Sequence, residues 1–358
     1  MKKGLKSGTL LVLAALIGTA GIAYAEGKKE TKPTAPAAKQ ELVISCWGGS
    51  SEKNLRAVSK AFEEKNNVTI VYDVGNNSDR LNKIRAQKAS PVTDVALLSS
   101  GFAVMGNEEG LFEKVSAKDV PNLDKIYDFA KNKDGFGPIY SVTSYGIFYD
   151  TTKVKTPPTS WGDLWDPQYK GKIAVADIAG TSAPLLLIMA AQMYGKDKYD
   201  IDAGFKKMAE LKDSIFNFYM SGSDVTAMFE RGEIVMVPFL DMFLKSMQNS
   251  KLNVAMAVPK EGAFATPTTV NIVKGSPKAA IAQKYVDFLL SADVQAQIAK
   301  VMSESPVNKD TKLDPETAKY LVYGEEAAKK LVTFDDSFIN KNKGAWIERW
   351  NKEISIKK

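Results

Sequence analysis

Three pairs of hydroxyl side chains stand where a loop runs into a helical pattern, and such an arrangement can bind an anion. The pairs are Ser50 and Ser51, Thr181 and Ser182, and Ser221 and Ser223. Each hydroxyl could simply cap its own helix, a contact worth about 1 kcal/mol. If the three helix starts converge on one cleft, their free N–H groups and partial positive charge suit a carboxylate, phosphate or phosphonate. Both interpretations stay open from these residues alone.

The composition argues against most catalytic and metal chemistry. The sequence has no histidine and a single cysteine, Cys46, so Ser-His and Cys-His mechanisms lose their base and a zinc site lacks ligands. Cys46 lies in an apolar run that is typical of a buried small side chain rather than a reactive thiol. A hydrolase built on two carboxylates remains an alternative, although no Asp or Glu pair stands out. We therefore expect a binding protein without a cofactor.

The elements that must position the hydroxyls follow an alternating pattern. Strand patterns at residues 41–47, 68–74 and 94–98 are separated by helical patterns. This order predicts a parallel sheet with crossover helices, in which ligands bind at the carboxyl ends of the strands. Small polar turns occur at those ends, at residues 48–51, 75–78 and 99–101.

Residues 140–182 predict the passage from one α/β unit to another. Residues 142–149 form an apolar strand pattern, and Pro157 and Pro158 then enforce an extended path. A short capped helix, a second strand at 173–176 and an apolar helix at 183–193 follow. With 358 residues and 44% hydrophobic residues, the chain is long and apolar enough for two such units.

Two motifs in this region carry a family resemblance. They are Y-G-I-F-Y-D-T-T-K-V at residues 145–154 and P-T-S-W-G-D-L-W-D-P-Q-Y-K-G-K-I at 158–173. They resemble the solute receptors of bacterial ABC importers, in the spermidine/putrescine-binding family. Shorter shared segments at 45–49, 231–234, 258–262 and 288–291 extend the resemblance over about residues 42–308.

The resemblance implies a type II periplasmic binding protein fold of the α/β class. Two lobes, each a mainly parallel sheet flanked by helices, are joined by two crossing strands. On this basis we expect lobe 1 to comprise residues 41–145 and about 265–300, and lobe 2 to comprise 146–264 and about 301–358.

The N-terminus has the pattern of a secretory signal peptide. Three lysines within residues 2–6 precede an apolar run at 10–17, and A-Y-A at 23–25 is a small-x-small cleavage site. We expect residues 1–25 to be a cleaved signal peptide and 26–40 a disordered spacer. An uncleaved membrane anchor is the alternative for residues 9–24.

The resemblance also implies which positions face the ligand. On lobe 1 these are Trp47, Gly49, Ser50, Ser99, Ser100 and Tyr145. On lobe 2 and the return crossing they are Gly180, Thr181, Ser182, Tyr219, Ser221, Ser223, Asp241, Thr266 and Thr268. For Trp47, core packing is the alternative to a place in the cleft.

The sequence departs from the family pattern at positions that bind amines. Polyamine receptors carry acids where this chain has Ile178 and Thr181, a Trp where it has Leu240, and W-x-D where it has T-P-T at 266–268. Asp177 and Asp241 could hold one ammonium group, whereas a long polyamine needs more carboxylates. A small zwitterion or anion is therefore as consistent with the sequence as a polyamine. Tyr219 lacks the paired tyrosine expected of an iron receptor.

We expect the mature protein to be a monomeric periplasmic receptor that captures a small polar solute and delivers it to inner-membrane permease subunits. Its net charge of +6 includes the three lysines of the signal peptide and does not indicate nucleic-acid binding. The alternatives are a carboxylate-dependent hydrolase in the same cleft and a periplasmic sensor or adhesin.

Overall fold

Ten strands form one mixed sheet in the computed structural model, which describes residues 39–180 and 182–355. The strands are β1 (Gln40–Cys46), β2 (Val68–Val74), β3 (Val95–Ser99), β4 (Ile139–Asp150), β5 (Ile173–Ala176), β6 (Ile215–Tyr219), β7 (Met236–Leu240), β8 (Val254–Ala257), β9 (Phe264–Ile272) and β10 (Ser305–Pro306). Along the sheet the order is β2-β1-β3-β9-β4-β7-β5-β6, and β8 and β10 also pair with β4.

Two parallel triplets flank a central antiparallel pair. β1 runs parallel to β2 and β3, and β5 runs parallel to β6 and β7. Between the triplets, β4 and β9 are antiparallel to each other and to their outer neighbours β7 and β3. The expected architecture of two mainly parallel sheets joined by two crossing strands is confirmed.

Helices connect most of the strands along the chain. They are α1 (Ser50–Asn66), α2 (Asn77–Ala86), α3 (Ser100–Glu108), α4 (Ala183–Tyr194), α5 (Ile201–Leu211), α6 (Gly222–Glu230), α7 (Leu244–Asn249), α8 (Ala279–Leu290), α9 (Ala292–Met302), α10 (Pro315–Ala318), α11 (Glu325–Ala328) and α12 (Asp336–Glu353). Short 3-10 helices include Trp161–Trp165 and Asp241–Phe243.

The two triplets have separate hydrophobic cores. One core includes Leu42 and Phe62 with Leu289 of α8, and the other includes Ile173, Leu187 and Trp350 of α12. The crossing strands change core within a few residues, because Val142 belongs to the first cluster and Tyr145 to the second. The same change occurs on β9 between Ala265 and Phe264, which pair across from Ser144 and Tyr145. Adjacent points on the two strands thus connect the two cores.

Most predicted elements are confirmed, and the differences lie near the C-terminus. β2 and β5 have the bounds of the strand patterns at 68–74 and 173–176. The patterns at 201–211 and 279–290 predict helices, and α5 and α8 have these bounds. Helix α9 was not predicted. The patterns at 315–323 and 343–354 predict two further helices, whereas α10 ends at Ala318 and α12 already begins at Asp336. The predicted signal peptide and most of the predicted spacer lie outside the described residues.

Candidate functional site

A cavity of about 250 Å³ lies beside the crossing strands, where the carboxyl ends of both parallel triplets meet. It is lined by Trp47, Ser51, Asn77, Ser99, Thr143, Ser182, Leu240, Met242, Thr266, Thr268 and Glu304. Six of these carry hydroxyl groups, and Glu304 is the only one with an ionisable carboxyl or amine. The cavity thus offers many neutral hydrogen-bonding groups around one acid.

Trp47 forms one wall and is held from behind. It follows β1 directly, and its ring stacks on the Arg80 guanidinium at 4.5 Å from the ring centroid. Arg80 is itself fixed because it donates to the carbonyls of Gly75 and Leu97, at 2.9 Å and 2.6 Å, and to Asn77 at 3.0 Å. Burial lowers the pKa of Arg80 to about 10, so it remains charged at neutral pH. The free face of Trp47 is therefore a fixed stacking surface.

Paired hydroxyls and an amide form the floor. Asn77 Nδ2 donates to Ser99 Oγ at 3.0 Å. Thr143 of β4 and Thr266 of β9 face each other across the crossing, with 2.5 Å between their hydroxyl oxygens. These contacts fix the polar atoms before any solute arrives, which is the preorganisation that a selective site needs.

Two helix starts from different cores reach the cavity. Ser99 is the N-cap of α3 and Ser182 is the N-cap of α4, and neither side chain caps its own helix. At the start of α3, the Asp336 carboxyl lies beside Gly101 and bonds to Ser100, so an acid already faces the partial positive charge of that helix end. The start of α4 has no side-chain cap and keeps its partial positive charge. The Ser182 hydroxyl instead lies in hydrogen-bonding reach of the buried Tyr145 hydroxyl.

Glu304 and Asp241 are two buried acids near the same cavity. Glu304 accepts a hydrogen bond from Ser141 Oγ, and Asp241 accepts one from Ser144 Oγ at 2.5 Å. Burial raises the pKa of each carboxyl to about 7, and the charge of Glu304 adds to the effect on Asp241. Each acid can therefore change its charge near neutral pH.

The structure brings five of the predicted site residues together in the cavity lining: Trp47, Ser99, Ser182, Thr266 and Thr268. Ser100 lines a smaller adjoining cavity with Lys343, and Ser50 lines a neighbouring one of about 360 Å³. Trp47 both lines the cavity and packs against the first core, so its contact with a ligand stays a prediction.

Other predicted residues lie behind or beside the cavity. The Tyr145 and Tyr219 hydroxyls are buried and bonded to each other, and Tyr219 also donates to the Pro238 carbonyl at 2.6 Å. Asp241 is also buried, with 3% of its surface exposed. None of these three residues forms part of the lining. They are buried behind it and can hold the lining residues in place.

The remaining predicted residues lie away from the lining. Gly49, Ser221 and Ser223 are exposed, and the two serines bond to each other at 2.8 Å. Asp177 lies near Lys343, whose ammonium donates to the Gly180 carbonyl at 3.1 Å. Thr181 is outside the described residues. Contact of these residues with a ligand stays a prediction.

Sequence reasoning missed Glu304 and Asn77. Glu304 lies between α9 and β10, and the pairing of β10 with β4 brings it to the crossing. The one indication in the sequence is an isolated acid between Ser303 and Ser305, flanked by apolar residues. Asn77 lies in a turn that was correctly placed at a strand end, but without an assigned role.

The geometry can be compared with known proteins. A family profile described as bacterial extracellular solute-binding protein matches residues 90–331. The chain belongs to this family. Family membership confirms the expected function, that of a substrate-binding receptor of an ABC importer that captures a small polar solute.

Several relatives of this solute-binding protein are named for their solutes. The chain is 24% identical to a Salmonella typhimurium periplasmic protein named for 2-aminoethylphosphonate binding, over 82% of this chain and 85% of the relative. It is 25% identical to a gamma-aminobutyric acid-binding protein of Pseudomonas aeruginosa, over 77% and 80%. It is 23% identical to the spermidine/putrescine-binding periplasmic protein of Escherichia coli, over 72% and 76%.

Among solved structures, an ABC transporter from Clostridium perfringens is similar in both sequence and fold. It shares 34% identity, with a TM-score of 0.79 over 88% of this chain and 100% of that chain. The resemblance to importer receptors is thereby confirmed along with the type II fold. Within the described residues, no helix combines the length and apolarity needed to cross a bilayer.

Proposed function

We propose that this receptor captures a small solute carrying one ammonium group and one polar or anionic end, and delivers it to an ABC permease. The observation that carries the proposal is the charge of the cavity lining, in which Glu304 is the only ionisable side chain. Once ionised, a carboxylate that is 7% exposed attracts a cation and repels an inorganic anion, because little water screens its charge.

The second end of the solute would lie against the helix starts and hydroxyls. Ser182 places the start of α4 at the cavity, and this positive helix end favours a carboxylate or phosphonate over a second ammonium. The start of α3 contributes the Ser99 hydroxyl, since Asp336 already lies against that helix end. A zwitterion satisfies both ends of the cavity, whereas a polyamine satisfies only the acidic one.

The size of the cavity supports a small solute. Its volume of about 250 Å³ is below the range of roughly 300–1,000 Å³ that is usual for drug-sized ligands. The relatives named for 2-aminoethylphosphonate, gamma-aminobutyric acid and spermidine or putrescine have solutes that all contain amines. The first two of these solutes are zwitterions.

We further propose that the protein is exported by cleavage after residue 25 and acts as a monomer in the periplasm. The A-Y-A motif at residues 23–25 and the periplasmic names of the relatives support export. Most residues of the separate cores support lobe boundaries close to 41–145 with 265–300 and 146–264 with 301–358, although Tyr145 packs in the second core and Met302 and Val307 pack in the first. Solute that contacts both lobes would favour the closed state.

Matched ligands test the proposed solute class in a thermal-shift assay. We compare 4-aminobutyrate with butyrate, which lacks the amine, and with putrescine, which lacks the carboxylate. 2-Aminoethylphosphonate, spermidine and phosphate complete the panel. We expect the largest stabilisation from a zwitterion, because binding to the native state alone raises the apparent stability.

Ser182→Ala tests the proposed contact with the anionic end of the solute. Ser116→Ala is the control, because the Ser116 hydroxyl donates to Asp119 on the surface. We expect Ser182→Ala to weaken binding of the zwitterion and to leave binding of putrescine unchanged. Stabilisation by phosphate or butyrate without any response to an amine would overturn the proposed function.

A further inference from the structure

Glu304 and Asp241 converge on the crossing from different segments. Glu304 follows α9 and lines the cavity, with 7% of its surface exposed. Asp241 follows β7 directly and is 3% exposed, while its chain neighbours Leu240 and Met242 line the cavity. One acid therefore faces the solute space and the other lies behind the lining.

The two carboxyls have hydroxyl partners and no cation partner. Ser141 donates to Glu304 and Ser144 donates to Asp241, whose Oδ1 has no hydrogen-bond partner within the described part of the chain. A buried acceptor that lacks a donor is normally avoided, because it loses its hydrogen bonds to water. Burial raises the pKa of Asp241 more than the Ser144 hydroxyl and the backbone N–H groups of Ser144 and Met242 lower it.

The surrounding charges do not compensate the pair. Lys245 of α7 and Lys300 of α9 line the neighbouring cavity that Glu304 also borders, and Arg80 stacks behind Trp47. In the described residues, neither carboxylate forms an ion pair with these cations or with any other. Glu304 itself is the charged group that acts on Asp241. Burial is the main cause of both raised pKa values, and the charge of Glu304 adds a smaller effect on Asp241.

We propose that Glu304, backed by Asp241, is the subsite that takes the ammonium of the solute, and that the pair holds a proton in the empty cleft which the incoming ammonium displaces. The inference rests on the proposed function, because it needs a cationic solute. In the binding step an R–NH₃⁺ group meets a carboxylic acid, the carboxyl O–H proton leaves to solvent, and an ammonium–carboxylate pair remains. No covalent bond of the solute changes.

Binding is then coupled to pH with a defined sign. The pKa of each acid is raised to about 7 in the ligand-free protein. Lowering the pH therefore increases the fraction of molecules in which the solute must displace a proton. For one displaced proton, affinity falls about tenfold per pH unit below pH 7 and levels off above it. Alkaline loss of the amine's own proton would end this plateau.

Carboxyl ¹³C NMR of the empty protein tests the first half of the proposal without any solute. We expect the Glu304 and Asp241 resonances to titrate near neutral pH and to be identified by their loss in Glu304→Gln and Asp241→Asn. Glu261 is a suitable control, because it also accepts from a serine, Ser160 Oγ at 2.6 Å, and does not line the cavity. Ordinary acidic titration of both cavity acids would overturn the inference.

Calorimetry tests the second half with 4-aminobutyrate and putrescine as probes. At about pH 6, heats measured in buffers of different ionisation enthalpy should report release of about one proton per bound amine. Glu304→Gln should abolish both the proton release and the pH dependence and should weaken binding at least tenfold. Glu261→Gln should keep the proton release, the pH dependence and the affinity of the native protein. Amine binding with no proton release contradicts the inference alone. Absence of any amine binding contradicts the proposed function and, with it, the inference.

Discussion

At the scale of single residues, the site is built from side chains fixed before the solute arrives. Trp47 is held by Arg80, Arg80 by two carbonyls, and Ser99 by Asn77. Because these groups have little freedom left to lose, ordering them on binding costs little free energy. The selectivity of the cavity then depends on which solute groups can bond to polar groups whose positions are already fixed.

Trp47 should report binding and contribute to it. We expect Trp47→Ala to weaken the binding of an amine solute by about 1–3 kcal/mol, because the stacking surface is lost. Trp47 fluorescence in the native protein should change on binding, and titration with 4-aminobutyrate measures both effects.

Trp165→Ala is the matched control, because Trp165 donates to the Lys207 carbonyl at 2.8 Å and lies outside the cavity lining. It should lower thermal stability and keep the affinity. If Trp47→Ala shows this same behaviour, Trp47 has only a packing role.

At the scale of elements, α12 connects the core around β5 to β7 with α3, the helix that follows β3 in the other triplet. Trp346 and Trp350 of α12 belong to the core around β5 to β7. The first turns of the same helix bond to α3, through Asn340 Nδ2 to the Gly101 carbonyl at 2.8 Å and Ser337 Oγ to Glu108 at 2.9 Å. Because these contacts link the two triplets, they should favour the closed state, in which residues from both triplets contact the solute.

Asn340→Ala should therefore weaken solute binding by about 0.5–1.5 kcal/mol, the usual worth of one hydrogen bond. Calorimetry measures the affinity, and small-angle X-ray scattering shows whether the empty protein becomes more open. Asn342→Ala is the control on the same helix, because Asn342 bonds only within α12, to the Phe338 carbonyl at 2.8 Å. Equal losses in the two variants would show that helix stability, rather than the contact with α3, is responsible.

The elements that sequence patterns predicted are those with a strong local pattern. β2, β5 and α5 have clear apolar periodicity, and their bounds were predicted correctly. The first half of α12 has few apolar residues. Asp335 caps its start by accepting from Phe338 N, and Ser337 and Asn340 hold it against α3. Such tertiary contacts leave no periodic pattern in the sequence.

The site could be predicted from the sequence only where a residue follows a strand or opens a helix. Trp47, Ser99 and Ser182 follow this rule and line the cavity. Glu304 does not, because a two-residue strand pairing, Ser305 with Val142 and Pro306 with Ser141, brings it there from a distant part of the chain. The spacing of acids along the sequence therefore could not reveal this carboxyl.

At the scale of the whole molecule, the crossing strands join recognition to closure. β4 and β9 pass between the cores at Val142–Tyr145 and Phe264–Ala265, and Thr143 and Thr266 line the cavity at the same level. A solute bound here lies beside the segments about which two lobes would rotate. Contacts to both sides would then lower the free energy of the closed state relative to the open one.

Native mass spectrometry of protein purified from the periplasm without denaturation tests the central claim most directly. We predict one bound solute per chain, with a formula that contains a basic nitrogen and an acidic or polar second group, and we predict its loss in Glu304→Gln but not in Glu261→Gln. A retained solute without nitrogen, such as phosphate or a sugar acid, or an amine retained equally by Glu304→Gln, would contradict the account.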